Sequence, residues 1–246
     1  SFQRGASHAE ELVARAHALG YTALAITDEC SVAGVVRAHV EAKKRGLKLL
    51  PGAEFVVDSS QGCQRFTVIA LPHDLQGWGN LCEFITQARR AAPKGQYLVS
   101  RAESPWAMLQ GCEILLALPV AIKIEANYAI SMWANRLFGS HVWLAVELQM
   151  ALDDDVQLHR LQQVSALTGV PLVAAGNVHM HVRSRKPLQD VITAVKLGKP
   201  VAECGFELQA NAEAHLRSRE RLAALYPPEL LANTLMVAGR CMFNLD

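Results

Sequence analysis

The sequence lacks a strong excess of charge of either sign. Its 24 Lys and Arg residues nearly balance 23 Asp and Glu residues, which leaves a formal net charge of +1 at pH 7. A surface that binds nucleic acid unaided usually carries a clear basic excess, because it must neutralise phosphates. The balance therefore argues against a stand-alone DNA-binding module, although it allows a domain that is attached to one.

Paired cysteines and long apolar runs are also missing. The six cysteines include no C-x-x-C pair, so the sequence indicates neither a zinc cluster nor a disulfide framework, and we expect reduced, buried thiols. No run approaches the roughly 20 apolar residues of a membrane span, and no secretory leader opens the chain. These features predict a cytoplasmic protein without membrane partners. The first residues are Ser-Phe-Gln rather than Met, which predicts that a segment precedes Ser1.

What the sequence does have is enough apolar residues for a large core and a regular alternation of elements. Apolar residues make up 51% of the 246 residues, and helical periods alternate with short apolar runs of strand length. Continuous apolar runs are typical of parallel strands that are covered on both faces. Either a βα barrel or a doubly wound sheet fits, as one domain over residues 1–246. A G-x-G-x-x-G or Walker loop is absent, which weakens the nucleotide-binding sheet.

Local patterns place the individual elements. Ser7 and Glu10 form a candidate capping box for a first helix that ends at Gly20. The predicted strands are residues 22–27, 47–50, 54–57, 66–71, 114–118, 142–148 and 171–175. Further helices are predicted at 33–45, around 81–88, 126–137, 158–167 and 188–195, and from about 212 onward with a break at 227–228. A strand break is predicted at Pro51-Gly52 and a turn at residues 59–62.

Polar side chains follow several of the predicted strands. In parallel βα folds such positions meet at one rim, where carboxylates and imidazoles can hold divalent metals that activate water against a phosphate ester. The candidates are Asp28, Glu29, Glu54, His73, Asn177, His179 and His181. Each also has a simpler interpretation: Asp28 and Glu29 could cap the next helix, and an isolated H-x-H is more often not a metal site. The basic residues Arg183, Arg185 and Lys186 could contact phosphates, although a solvated helix entrance is the simpler interpretation.

Four long segments carry a resemblance to a known family. They read RGASHAEELVARAHALGYTALAITDECSVAGVVRAHVEAKKRGLKLLPGAEF, WLAVEL, AAGNVHMHVRSRKPLQDV and LRSRERLAALYPPELL. They resemble the N-terminal PHP (polymerase and histidinol phosphatase) domain of bacterial error-prone DNA polymerases. These belong to the C family and are related to the DNA polymerase III alpha subunit. The resemblance covers nearly the whole chain and implies an irregular (β/α)7 barrel, incomplete here if its first strand precedes Ser1.

The resemblance also implies a set of metal ligands, and this chain departs from it. The first-strand H-x-H would lie before Ser1, and the histidine expected after Thr27-Asp28 is replaced by Glu29. Glu54 matches the family's glutamate, whereas a further expected histidine falls near Thr67. Asn177 stands in place of an aspartate, and His179 is retained. Exchanging an anionic ligand for a neutral one weakens attraction for a hard cation, and a carboxylate in place of histidine disfavours zinc.

We therefore expect a degenerate metal site and an inactive fragment. The residues that would form the site are Glu54, His179, Glu29, Asp28 and His181, with room for one weakly held zinc or manganese ion. The parent would be a DNA-directed DNA polymerase with magnesium in other domains, acting in translesion synthesis and DNA repair. Its expected partners are the remaining polymerase domains, DNA, the sliding clamp and other damage-tolerance proteins. An active metal-dependent phosphoesterase or exonuclease and a protein-interaction module are the alternatives.

Overall fold

A computed structural model describes residues 4–57, 65–119 and 123–246, and it contains one six-stranded sheet. The strands lie side by side in chain order. They are β1 Ala23–Glu29, β2 Lys48–Val57, β3 Phe66–Pro72, β4 Cys112–Ala117, β5 Val142–Val146 and β6 Leu172–Ala174. This mixed α/β architecture of the barrel type confirms the predicted fold class, with six strands rather than seven among the described residues. The predicted turn at residues 59–62 lies outside them.

Helices connect and cover the strands. They are α1 Ala9–Ala18, α2 Val35–Arg45, α3 Leu75–Arg90, α4 Ile124–Phe138, α5 Asp154–Thr168, α6 Lys186–Leu197, α7 Arg219–Leu225 and α8 Pro228–Arg240. A 3₁₀ helix, Trp106–Gly111, leads into β4. None of the described helices is long and apolar enough to cross a membrane. Aromatic contacts such as Phe55 against Phe84, with ring centroids 4.9 Å apart, pack α3 against the sheet.

The direction of β3 differs from the all-parallel prediction. β3 pairs antiparallel with both β2 and β4, whereas the other neighbouring strands run parallel. Residues 58–65 join β2 to β3, and this connection is shorter than the dozen or more residues that a parallel crossover needs. Reversal of β3 moves the residue after it, His73, to the end of the sheet opposite Glu54. The prediction that His73 belongs to the same rim is therefore wrong.

The strand break predicted at Pro51-Gly52 is also wrong, because β2 runs through both residues. Pro51 and Gly52 lie opposite Ile26 and Thr27 of β1 in an uninterrupted parallel register. A Cβ atom on Gly52 would lie 2.5 Å from the carbonyl oxygen of Ala70, a distance that forces a rearrangement. The glycine thus permits close approach of two backbones rather than a turn, which is the other common use of a strand glycine.

Two predicted helix boundaries shift. The cap of α1 is His8, whose N–H donates to the Glu11 carboxylate at 2.9 Å, so the predicted pair of Ser7 and Glu10 is one residue early. The C-terminal helical region begins at Arg219 rather than near residue 212, and the break before Pro228 is where the sequence predicts it. Gly20 and Gly46 follow α1 and α2 with positive φ, as their helix-ending role requires.

Two glycines of α3 offer a matched test of packing. A Cβ on Gly77 would lie 2.3 Å from the Gly111 carbonyl oxygen, whereas a Cβ on Gly79 would meet nothing within 4 Å. We expect Gly77→Ala to lower the free energy of unfolding by about 2 kcal/mol, through overpacking. Gly79→Ala should raise it by up to about 1 kcal/mol, through helix propensity. Urea denaturation of the 246-residue chain measures both, and equal effects of the two substitutions would contradict this packing.

Candidate functional site

An arginine lies among the carboxylates at the C-terminal ends of β1 and β2. One guanidinium nitrogen of Arg4, Nη1, forms ion pairs with both Glu54 and Glu29, at 3.3 Å from Glu29 Oε2. The Arg4 backbone is held in place because Gln189 Nε2 donates to its carbonyl oxygen at 2.6 Å. The Arg4 and Glu54 side chains are 23% and 11% exposed, so this contact is only partly screened by water. A permanent cation therefore lies where the resemblance expects metal ligands to converge.

Glu54 and Glu29 have different surroundings. Burial raises the pKa of Glu54 to about 7, with nearby Glu29 and Glu147 adding to the rise and Arg4 opposing it. Glu29 accepts a hydrogen bond at 2.8 Å from the Tyr97 hydroxyl, and that hydroxyl accepts from the Val56 N–H at 3.0 Å. Glu29 is thereby fixed to the neighbouring strand and loop, while Glu54 depends on Arg4 for its counter-charge.

A second hydrogen-bonded chain occupies the ends of β5 and β6. Asn177 Nδ2 donates to Glu147 Oε2 at 3.0 Å, and Asn177 Oδ1 accepts from His179 Nε2 at 3.0 Å. Gln209 Nε2 contacts His179 Nδ1 at 2.9 Å, so both ring nitrogens have partners. Burial and, to a smaller extent, the positive charge of Arg4 lower the pKa of His179 to about 3, which keeps the imidazole neutral. Burial likewise raises the pKa of Glu147.

The two remaining predicted ligands form hydrogen bonds of their own. Asp28 Oδ2 accepts a hydrogen bond from the N–H of Gly34, the residue before α2, at 2.7 Å. His181 Nδ1 contacts Ser7 Oγ at 2.7 Å, and the His181 N–H donates to the same oxygen at 2.9 Å. Ser7 therefore anchors the segment before α1 to the loop after β6.

The residues at this rim do not fit a cluster of metal ions. Arg4, Glu54, Thr67, Glu147 and Asn177 are among those that line a cavity of about 210 Å³. Asn177 is neutral, Thr67 offers no imidazole, and both nitrogens of His179 are already hydrogen-bonded. Residues 4–57, 65–119 and 123–246 do contain three potential ligands whose ligand atoms lie within 4.8 Å of one another. That group lies elsewhere in the fold. The Arg4 guanidinium lies between Glu54 and Glu29, so it occupies the position that a cation bound by both acids would take.

Several members of this rim escape prediction from the sequence. Glu147 follows β5 directly, so the same strand-end argument that selects Glu54 would have selected it. Arg4, Tyr97 and Gln209 lie outside the strands and carry no periodic signal. The basic residues near the start of α6, for which a solvated helix entrance is the simpler interpretation, are paired with acids: Arg183 with Glu213 at 2.9 Å, Arg185 with Glu11 at 2.7 Å, and Lys186 with Asp190.

Restoring the aspartate that the family pattern expects should be harmful here. Asn177→Asp would replace the N–H donor to Glu147 with a second carboxylate, so we expect a loss of about 1–3 kcal/mol of unfolding free energy at pH 8. A shared proton raises the folded-state pKa of such a pair, so the lost stability should return as the pH falls toward 5. Urea denaturation at both pH values measures this, with Asn177→Ser as the uncharged control. A pH-independent loss would contradict it.

Comparisons with known proteins agree with this architecture. The family model for the PHP domain matches residues 1–151. An error-prone DNA polymerase from Dechloromonas aromatica is 48% identical over 251 aligned residues, and one from Methylococcus capsulatus is 47% identical over 246. Both alignments cover 100% of this chain but only 24% and 23% of those proteins, so the chain spans about a quarter of their length.

Two solved structures share the fold at low identity. An amidohydrolase from Chromobacterium violaceum superposes with a TM-score of 0.56 at 16% identity, covering 72% of this chain and 84% of that one. A candidate metal-dependent phosphoesterase from Bifidobacterium adolescentis gives a TM-score of 0.51 at 15% identity, covering 71% and 83%. These likenesses extend to the fold alone. Because the family model matches residues 1–151 and the homology to bacterial error-prone DNA polymerases runs along the whole of this chain, the chain belongs to the PHP domain family.

Proposed function

We propose that this chain is the PHP domain of a bacterial error-prone DNA polymerase and that it supports neighbouring domains rather than hydrolysing phosphate esters. Homology along the whole chain to proteins named error-prone DNA polymerase supports the first half. The arginine among the rim acids supports the second. Nucleotide transfer, with its magnesium and its contacts to DNA, would belong to the parts of the protein outside this chain.

The proposed cellular role rests on the same homology. The parent protein would extend DNA across damaged template during translesion synthesis and repair in the cytoplasm. The sliding clamp and other damage-tolerance proteins would be its partners, together with the remaining polymerase domains in the same protein. The near-zero net charge of this chain suits a supporting domain better than a primary DNA-binding surface.

The observation that carries the proposal is the Arg4 ion pairs with Glu54 and Glu29. A divalent metal at such a rim would bind water and lower its pKa, producing a nucleophile. A guanidinium stays charged, but it has no acceptor atom and does not convert a bound water to hydroxide. It therefore supplies positive charge without producing a nucleophile. The remaining role of Arg4 is structural, because its ion pairs hold the segment before α1 against the ends of β1 and β2.

Hydrolysis of a generic phosphate diester tests the proposal. The full-length protein that carries this chain is incubated with bis(4-nitrophenyl) phosphate and either Mn²⁺ or Zn²⁺, with and without a chelator. We expect no chelator-sensitive release of nitrophenol above that of a Glu54→Gln variant. Hydrolysis that requires the metal and falls in the Glu54→Gln variant would overturn the supporting role and favour the phosphoesterase alternative.

A further inference from the structure

Three potential metal ligands converge at the end of the barrel opposite the rim. His73 Nε2 lies 2.8 Å from Glu113 Oε1, and His141 Nδ1 lies 2.7 Å from the same oxygen. The three ligand atoms all lie within 4.8 Å of one another, and the two imidazole centroids are 4.7 Å apart. Two histidines and one glutamate are a ligand set that zinc accepts in proteins, with a fourth position left to water.

The reversed direction of β3 creates this cluster. His73 directly follows β3, whereas Glu113 is the second residue of β4 and His141 immediately precedes β5. The C-terminal end of an antiparallel strand thus meets the N-terminal ends of two parallel ones. Ile69 of β3 pairs with Glu54, and His73 comes four residues later, about 13 Å along the strand. The cluster is therefore separate from the rim that holds Arg4.

Backbone hydrogen bonds and neighbouring side chains hold the ligands in position. The His73 N–H donates to the Gly111 carbonyl oxygen at 3.0 Å, and the His73 carbonyl oxygen accepts from the Met242 N–H at 2.8 Å. Glu113 Oε2 accepts from Trp143 Nε1 at 2.6 Å and from Arg240 Nη1 at 3.4 Å. These two bonds engage one carboxylate oxygen and direct the other at the imidazoles. Such support around the ligands is typical of metal centres.

The cluster combines one buried ligand with two partly exposed ones, as a binding site requires. Glu113 is fully buried, whereas the side chains of His73 and His141 are 21% and 40% exposed. Burial alone would raise the pKa of Glu113, but bonds from Trp143, His141 and His73 outweigh it and hold the pKa below its usual value. The carboxylate is therefore ionised at neutral pH. Solvent reaches the imidazoles, so an ion can enter and keep a water ligand.

The spacing of the ligand atoms is close to that of a loaded site. Ligand atoms about 2.05 Å from a tetrahedral zinc ion are about 3.3 Å apart. The present separations of 2.7 and 2.8 Å are those of hydrogen bonds, so binding requires outward movements of about half an ångström. The partly exposed imidazoles can make this movement while Glu113 stays fixed.

We propose that His73, Glu113 and His141 bind one divalent cation of the zinc type, with water as the fourth ligand. Two imidazoles select a borderline ion over Mg²⁺ and Ca²⁺, which prefer sets made of oxygen ligands. The ion would join the end of β3 to the starts of β4 and β5 and, through Met242 and Arg240, to the C-terminal segment. The proposal does not depend on the supporting role of the domain.

Zinc stoichiometry tests the proposal. The full-length protein that carries this chain is stripped with a chelator and titrated with Zn²⁺ against a chromophoric competitor, beside the His73→Asn/His141→Asn double variant. We expect the wild type to bind one more equivalent than the double variant, while Mg²⁺ in excess does not compete for that equivalent. Co²⁺ in place of Zn²⁺ should give a visible absorption band that the double variant lacks.

Three further variants separate binding from folding. His141→Asn changes a partly exposed residue and should lose the equivalent with little change in melting temperature. Trp143→Phe removes the bond to Glu113 Oε2 and should weaken zinc binding by about tenfold or more. His159→Asn, an exposed histidine of α5, should change nothing. Equal zinc stoichiometry in the wild type and in folded His141→Asn protein would overturn the proposal and leave the cluster as a hydrogen-bonded network alone.

Discussion

Replacing Arg4 by methionine is expected to lower the free energy of unfolding by about 2–4 kcal/mol at pH 8 and to make stability depend on Mn²⁺. Methionine keeps an unbranched apolar side chain but leaves Glu54 and Glu29 without their shared cation. Breaking a largely buried ion pair from one side costs more than the pair contributes, because the remaining charge stays desolvated. Mn²⁺ at millimolar concentration should restore part of the loss, since it can then occupy the position of the guanidinium.

The loss should depend on pH in a defined direction. The pKa of Glu54, about 7, lies above its ordinary value of 4.5. A raised folded-state pKa contributes stability that is fully present below the unfolded-state pKa and disappears as the pH rises through the folded-state value. Without Arg4 the pKa of Glu54 rises further, so the variant should lose most above pH 7. Toward pH 4.5 Glu54 is neutral, and the difference between the two proteins should shrink.

Two substitutions serve as controls for Arg4→Met, and urea denaturation of the 246-residue chain with and without Mn²⁺ measures all three. Arg37→Met removes the exposed partner of Glu10 and should cost no more than about 1 kcal/mol, as surface ion pairs do. Arg4→Lys keeps the charge and should lose less than Arg4→Met. If Arg4→Met behaves like Arg37→Met and does not respond to Mn²⁺, the guanidinium does not take the place of a metal.

Much of the fold was predictable because apolar runs and helical periods are local signals. Every predicted strand lies within or overlaps a strand of the structure, and helix-ending glycines mark the ends of α1 and α2. Strand direction is not local, and apolar runs alone do not reveal it. The short connection at residues 58–65 does carry that information, because it leaves no room for a crossover helix. Weighing the connection length would have predicted the reversal of β3.

The site was harder to predict than the fold. The strand-end argument finds Glu54, Asn177 and His179, since all three lie near the C-terminal ends of parallel strands. It does not find Arg4, because a residue before α1 reaches the rim only through tertiary contacts. It places His73 at the wrong end because it assumes one strand direction. Glu113 and His141 lie at strand beginnings, where that argument does not look for function.

The largest single loss of stability is expected for Glu113→Leu. Glu113 is fully buried and accepts hydrogen bonds or ion pairs from four side chains: His73, His141, Trp143 and Arg240. Leucine has a similar volume, yet it leaves the Trp143 N–H without its acceptor and the Arg240 charge without its carboxylate partner. We expect a loss of about 3–5 kcal/mol of unfolding free energy, measured by urea denaturation of the 246-residue chain in the presence of a chelator.

The chelator makes this prediction independent of any bound cation, because only the hydrogen bonds and ion pairs then contribute. Glu113→Gln keeps an acceptor for Trp143 but removes the charge, so it should lose less, about 1–3 kcal/mol. Glu41→Gln, which removes the partner of Arg45 on the surface of α2, should lose much less than either Glu113 substitution. A Glu113→Leu protein that is as stable as the wild type would mean that this buried carboxylate does not hold β3, β4, β5 and α8 together. If Glu113→Leu costs more unfolding free energy in zinc-loaded protein than in the presence of the chelator, the hydrogen-bonded cluster and the cation stabilise the same end of the barrel.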